Sequence, residues 1–313
     1  MPRHLLRQLA RTAALLVGVS ILVFSLDSFI PGDPAIVLAG QNATEADIAR
    51  TREQLGLEKP LVRRYLDWAA AALHGDLGRS LFTGQPVATE IGARLPVTLS
   101  LLTLALLVAL VLGIAAGVVA ALHRNRLPDR TIVTAASVGV AMPNFWVGLL
   151  LVLGLALALP LFPATGYVPL TADPLGWLSH LALPAIGLSL APAAELTRQV
   201  RGSVIGILQR DFVKAATAKG LPRWMVIGKH VLKNTGVTVA TVAGIQVSVL
   251  LGGSVVMEQV FGLPGLGPLV LDSVTARDLP IVQGIVLVST ALILVCNLAV
   301  ELSYGYFNPK VRA

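Results

Sequence analysis

RQVRGSVIGILQRDFVKAATAKGLPRWMVIGKHVLKN, residues 198–234, lies between two strongly apolar segments. It carries eight basic residues: Arg198, Arg201, Arg210, Lys214, Lys219, Arg223, Lys229 and Lys233. A basic connection between apolar spans marks the cytoplasmic side of a membrane chain. The stretch is also patterned. Phe212, Ala215, Ala216 and Lys219 fall at i, i+3, i+4 and i+7, one face of a short helix. Asp211 suits the positive end of that helix and Lys219 the negative end. Gly220 fits a left-handed cap, and Pro222 stops continuation. The spacing predicts a short, well-ended helix outside the bilayer, with small alanines that let another surface approach.

Working outward, the chain reads as an integral membrane protein. Of its 313 residues 55% are hydrophobic and 13% charged, with a mean hydropathy of +0.78. The net charge of +7 is concentrated in short connections, as a membrane topology requires, so it is no nucleic-acid signal. The single Cys296 lies in an apolar run and supports neither a disulfide framework nor a metal site. Six apolar segments reach spanning length: 9–30, 97–122, 132–159, 180–199, 237–257 and 281–304. The first lacks a small-residue cleavage site and reads as a retained helix rather than a signal peptide. Runs this long cross lipid as helices. Arg3, Arg7 and Arg11, then Arg124, Arg126 and Arg130, then residues 198–234, then Lys310 and Arg312 all fall on one side. The opposite connections, 160–179 and 258–280, hold only Arg277. Both termini are therefore expected in the cytoplasm.

The long connection 31–94 is expected outside, as a small helical cap. Thr44 can cap a helix over 45–55 that Gly56 ends; Pro60 suits the first turn of a second, with Leu61, Tyr65, Trp68 and Leu73 apolar and Gly75 at its end. Within the spans, Pro143 and Pro192 predict kinks or breaks. Gly113-x-x-x-Gly117 is a small-residue packing motif.

Lys214-Ala215-Ala216-x-x-x-Gly220 resembles the EAA loop of ABC importer permeases, with Lys214 in place of the usual Glu and His230-Val231-Leu232-Lys233 in place of Ile-x-Leu-Pro. The run Ala218 to Leu221 is similar to the relaxed version in the dipeptide/oligopeptide branch. Further motifs follow the same family from end to end. They include Pro31-Gly32-Asp33-Pro34-Ala35, Gly75-Asp76-Leu77-Gly78-Arg79-Ser80, Arg94-Leu95-Pro96-x-Thr98-Leu99 and Pro143-Asn144-Phe145-Trp146-x-Gly148. Val260-Phe261-Gly262-Leu263-Pro264-Gly265-Leu266-Gly267, Ala276-Arg277-Asp278-x-Pro280 and the tail Phe307-Asn308-Pro309-Lys310-Val311-Arg312 complete the series. The order resembles the first permease subunit of dipeptide/oligopeptide importers, a group that also serves nickel and glutathione.

The resemblance implies an all-α membrane protein with six transmembrane helices and the type I ABC importer transmembrane fold. Residues 1–30 would be the cytoplasmic N-terminus and helix 1, 31–94 an external helical loop, and 95–313 the core. It implies docking of Asp211, Phe212, Lys214, Ala215, Ala216, Lys219, Gly220 and Leu221 against a cytoplasmic ATPase. No cofactor belongs to such a chain, since ATP and Mg lie on partner subunits. The implied partners are a second homologous permease, two ATP-binding subunits and an external substrate-binding protein, in the plasma or inner membrane.

Gly262, Leu263, Pro264, Gly265, Arg277 and Asp278 are the candidates for contact with that binding protein. Asp27, Asn144, Phe145, Trp146 and Gln246 are candidates for the translocation pathway, with interhelical packing as the plainer alternative. Glu195, Glu258 and Glu301 sit near span ends, where they can reach the interface. An enzyme reading finds no His-Glu-x-x-His, phosphate loop or Gly-x-Ser-x-Gly. An ion-coupled secondary transporter is the alternative from another class, but neither repeat symmetry nor a set of midplane ligands is evident.

Overall fold

The computed structural model describes residues 2–29, 34–39, 43–54 and 56–307. The Pro31-Gly32-Asp33 turn and the tail from Asn308 lie outside the described residues, as does the side chain of Asp27. Apart from an isolated bridge between Arg79 and Pro86, the regular structure of the described residues is helical.

In chain order the helices are α1 (Pro2–Phe29), α2 (Pro34–Ala39), α3 (Glu45–Gln54), α4 (Leu61–Leu73), α5 (Val87–Leu122), α6 (Leu127–Ala141) and α7 (Asn144–Leu151). A π-helical segment, Val152–Ala158, extends α7. Then come α8 (Pro174–Leu208), α9 (Asp211–Ala218) and α10 (Arg223–Met225). A second π-helical segment, Val226–Leu232, leads into α11 (Lys233–Val260), followed by α12 (Leu266–Ala276) and α13 (Leu279–Phe307). Among the described residues α5, α8, the run Arg223–Val260 and α13 are long and apolar enough to cross a membrane. The apolar part of α1, Ala10–Ser25, falls short of that length.

Two expected spans differ in form. Segment 132–159 is not one rod: α6 and α7 meet at 103°. Met142 and Pro143 are extended there, with ψ of 127° and 132°. Proline disfavours the helical conformation in the residue before it, which explains the break. Pro192 marks no break, because α8 continues through both Pro184 and Pro192. α8 also begins at Pro174, where Asp173 accepts from the Leu175 amide at 3.0 Å. It runs on to Leu208, so the start of the 198–234 stretch is the end of a long helix rather than a loop.

The chain divides into two compact units. Residues 2–96 and 269–292 form one. In it Thr44 and Asp47 cap α3 reciprocally, the Asp47 amide to Thr44 Oγ1 at 3.3 Å and the Thr44 amide to Asp47 Oδ2 at 3.1 Å. The Thr44 donors hold the Asp47 carboxyl below its ordinary pKa. Gly56, at φ +64°, closes α3 as expected. Pro60 caps α4 rather than entering it. Of the apolar residues expected on α4, Tyr65 and Trp68 pack on Phe24 of α1, ring centroids 5.6 and 5.5 Å away. Leu61 and Leu73 stay exposed, outside that contact.

The other unit holds residues 97–268 and 293–313. Its core is α8, packed against α6, α7 and α11. Leu181, Leu183, Leu188, Leu196, Val200 and Val204 of α8 are fully buried. α8 has the lowest mean hydropathy of the four candidate spans, 1.3, and the highest burial, 56%. A span surrounded by protein meets little lipid, which permits its more polar composition.

Candidate functional site

α9 and its flanks sit at the end of the second unit. Arg210 enters extended, with ψ 148°. The helix ends in the hydrogen-bond pair of a glycine-capped terminus, Gly220 N–H to Thr217 O at 3.0 Å and Leu221 N–H to Ala216 O at 3.4 Å. Gly220 has φ +76°, the left-handed conformation expected of it. Pro222 then starts a new turn with ψ 144°.

The helix has two faces. Val213 and Ala216 are buried in a cluster with Ala121, Val200, Val204, Ile207, Val226 and Val231. This cluster joins α9 to the ends of α5 and α8 and to the π-helical start of the α11 run. Phe212, 43% exposed, lies outside it, as do Lys214, Ala215 and Lys219. The stripe Phe212, Ala215, Lys219 therefore faces solvent, while Ala216 is held by the chain's own core. Of the two alanines expected to admit another surface, Ala215 is exposed and Ala216 is buried, and Leu221 is half-buried. Lys214 reaches Asp211 at 3.0 Å across exposed surface, a pair that contributes at most about 0.2–0.5 kcal/mol.

A second fixed point stands nearby. Arg201 on α8 makes a bidentate pair with Asp129 at the start of α6, Nε to Oδ1 at 2.6 Å and Nη2 to Oδ2 at 2.8 Å. Asp129 also accepts from the Asn125 amide at 2.8 Å. The Asp129 side chain is 4% exposed and Arg201 27%, so the pair lies between surface and interior. Arg201→Ala is expected to lower stability by about 2 kcal/mol, and Arg201→Lys by less. Thermal unfolding of the detergent-purified chain reads this, and an unchanged Tm in Arg201→Ala would remove the role.

The pathway candidates separate. Asn144 is half-buried and lies against Gly253 of α11, where an added Cβ would stand 3.1 Å from its Nδ2. Gln246, 7% exposed, is two helical turns before Gly253 on the same helix. Asn144 thus lies in the contact between α7 and α11, while Gln246 is buried farther back along α11. Phe145 and Trp146 are each 46% exposed.

At the opposite end of α11 the turn 261–265 folds over a buried carboxyl. Glu258 is 0% exposed, so it does not reach the interface as its place near a span end suggests. Its Oε1 accepts from the Thr98 hydroxyl at 2.7 Å and its Oε2 from the Gly267 amide at 2.7 Å. Thr98 Oγ1 in turn accepts from the Leu266 amide at 2.9 Å. A Cβ at Gly265 would overlap the Glu258 carboxyl, which requires glycine there. Leu263 and Gly265 are buried, while Gly262 and Pro264 face outward.

Asp278, expected at the surface, is 3% exposed. It accepts from Ser80 Oγ at 2.5 Å and the Leu81 amide at 3.2 Å. It therefore holds the Gly75–Ser80 motif within its own unit, leaving Arg277, exposed and at φ +60°, as the outward neighbour. Sequence reading missed the Thr98–Glu258 and Arg201–Asp129 links, because each joins residues far apart in the chain. For Glu258 the available signal was an acidic residue beside an apolar run with no local basic partner, whereas Asp129 stands among Arg124, Arg126 and Arg130 and gave no such signal.

Residues 113–313 match the family described as binding-protein-dependent transport system inner membrane component. Residues 1–102 match its N-terminal membrane component. A protein of Brucella abortus (strain 2308), provisionally assigned as a peptide transport system permease, is 41% identical over 308 residues, 98% of each chain. The glutathione transport system permease protein GsiC of Escherichia coli (strain K12) is 38% identical over 312 residues, 100% of this chain and 99% of GsiC. The chain belongs to the binding-protein-dependent transport system inner membrane components, the non-catalytic permease subunits of ABC importers.

Proposed function

We propose that this chain forms half of the translocation pathway of an ATP-driven importer for short peptides, and that α9 is its coupling helix. The supporting observation is the two-faced seating of α9. Val213 and Ala216 tie it to the ends of α5 and α8, while Phe212, Ala215 and Lys219 present a free stripe. A push on that stripe moves the helix ends with it. The resemblance and the relatives support a peptide cargo, and glutathione, a tripeptide, falls in the same chemical class. Among the described residues no three His, Cys, Asp or Glu side chains gather as a metal site, so nickel is the weaker alternative.

In this reading α1, α5, the bent α6–α7 pair, α8, the Arg223–Val260 run and α13 make six crossings, with both termini and α9 in the cytoplasm. A second homologous permease supplies the other half of the pathway. Two ATP-binding subunits dock at α9. The external binding protein is the partner of the 31–94 segment and Arg277 in one unit and of Gly262 and Pro264 in the other. Asp27, Asn144, Phe145, Trp146 and Gln246 are the candidates for the pathway lining. The test is ATPase activity and uptake by the reconstituted complex. Dipeptide or glutathione on the binding protein should stimulate both. Uptake driven by an ion gradient with no ATPase present would overturn the assignment.

A further inference from the structure

A cavity of 610 Å³ opens behind α9. That volume lies within the roughly 300–1,000 Å³ of small-molecule sites. Its walls are apolar, with Leu122 at the end of α5, Leu208 at the end of α8, Val213 and Leu221 around α9, and Val226 and Ile227 in the π-helical segment. Lys214 and Arg223 are its charged lining residues, and no Asp or Glu lines it. Lys214 is committed only to an exposed partner, Asp211, a contact worth little against a stronger anion. Trp224, next to Arg223, is 72% exposed. An exposed tryptophan beside arginine at the end of a span is the composition of a membrane–water interface.

We propose that this cavity binds an anionic phospholipid, its headgroup phosphate on Arg223 and Lys214 and an acyl chain between Leu122, Leu208 and Ile227. The proposal rests on the cytoplasmic placement of α9 given above. Basic pockets between spans on the cytoplasmic side suit such headgroups. The cavity joins a greasy interior to a cationic mouth, which selects an anionic amphiphile over a soluble phosphate or a neutral lipid. Val213, Thr217 and Leu221 line it from the inward side of α9. The bound lipid therefore acts as a wedge that fixes how far α9 stands from the spans, and so tunes coupling without touching the outward stripe.

The test uses the permease–ATPase complex in nanodiscs of phosphatidylglycerol or of phosphatidylcholine, with retained lipid read by native mass spectrometry. Phosphatidylglycerol should stay bound and phosphatidylcholine should not. Arg223→Gln should weaken retention about fivefold, the effect of one basic contact near an anionic surface. Ile227→Trp, which fills the cavity and leaves the charges alone, should abolish it. Equal retention of both lipids, or of phosphatidylglycerol by wild type and both variants, would overturn the proposal. So would a photoreactive group at position 227 that labels the ATPase chain instead of lipid. Retention is measured without transport, so failure of the lipid site and failure of the importer reading are separable.

Discussion

Glu258→Ala is expected to cost about 3 kcal/mol of stability, among the largest losses for a single substitution in the second unit. The carboxyl receives the Thr98 hydroxyl on one oxygen and the Gly267 amide on the other. Alanine leaves both donors unmatched in a place water does not reach, and it opens a void where Gly265 and Gly267 press on the carboxyl. Either effect alone is worth roughly 1–3 kcal/mol. Membrane hydrogen bonds often measure lower, near 0.6 kcal/mol, and for that reason the expected sum is held to 3. Glu258→Gln keeps one acceptor and nearly the same volume, so its loss should be about 1 kcal/mol. Thermal unfolding of the purified chain in detergent gives both values. The order Ala worse than Gln, with a gap of about 2 kcal/mol, is the signature; equal Tm values for the two variants would show the carboxyl to be a bystander.

Glu258 also shows where sequence reading stops. Its place near a span end suggests a side chain reaching for the interface, whereas it is a plug beneath a turn. What decides between the two is Thr98, distant in sequence and adjacent in space, and no periodicity carries that information. Arg201 and Asp129 repeat the lesson, since a positive-inside count takes Arg201 as a loop charge and ignores Asp129. What was legible is local. Gly56, Gly75 and Gly220 take the left-handed φ that their positions after helices require. The Thr44 cap and the break at Pro143 follow from chemistry within a few residues.

Departures occur where a tertiary neighbour overrides a local rule. Pro192 leaves α8 unbroken, as a helix packed against neighbours that can re-satisfy its freed backbone groups permits. Spacing groups Ala216 with Phe212, yet Ala216 stands on the inward edge of the stripe, since successive residues on a helix point about 100° apart and the buried arc closes over Val213.

That inward edge decides which substitutions test the coupling role. Ala216→Glu places a carboxylate among Val200, Val204 and Val231, so it should fail at assembly, and lost transport in that variant would say nothing about docking. Phe212→Ala is the informative change. The ring is 43% exposed and outside the core cluster, so membrane insertion and Tm should stay near wild type. An aromatic anchor buried on docking is worth about 2 kcal/mol, which corresponds to a roughly 30-fold weaker permease–ATPase association. Uptake should fall by more than tenfold at limiting ATPase, the purified ATPase should keep its basal rate, and an excess of ATPase should restore part of the transport, as a pure binding defect requires. Ala215→Glu, on the same exposed stripe, should reproduce the defect. If both variants assemble with wild-type affinity and transport normally, α9 is not the surface the motor holds.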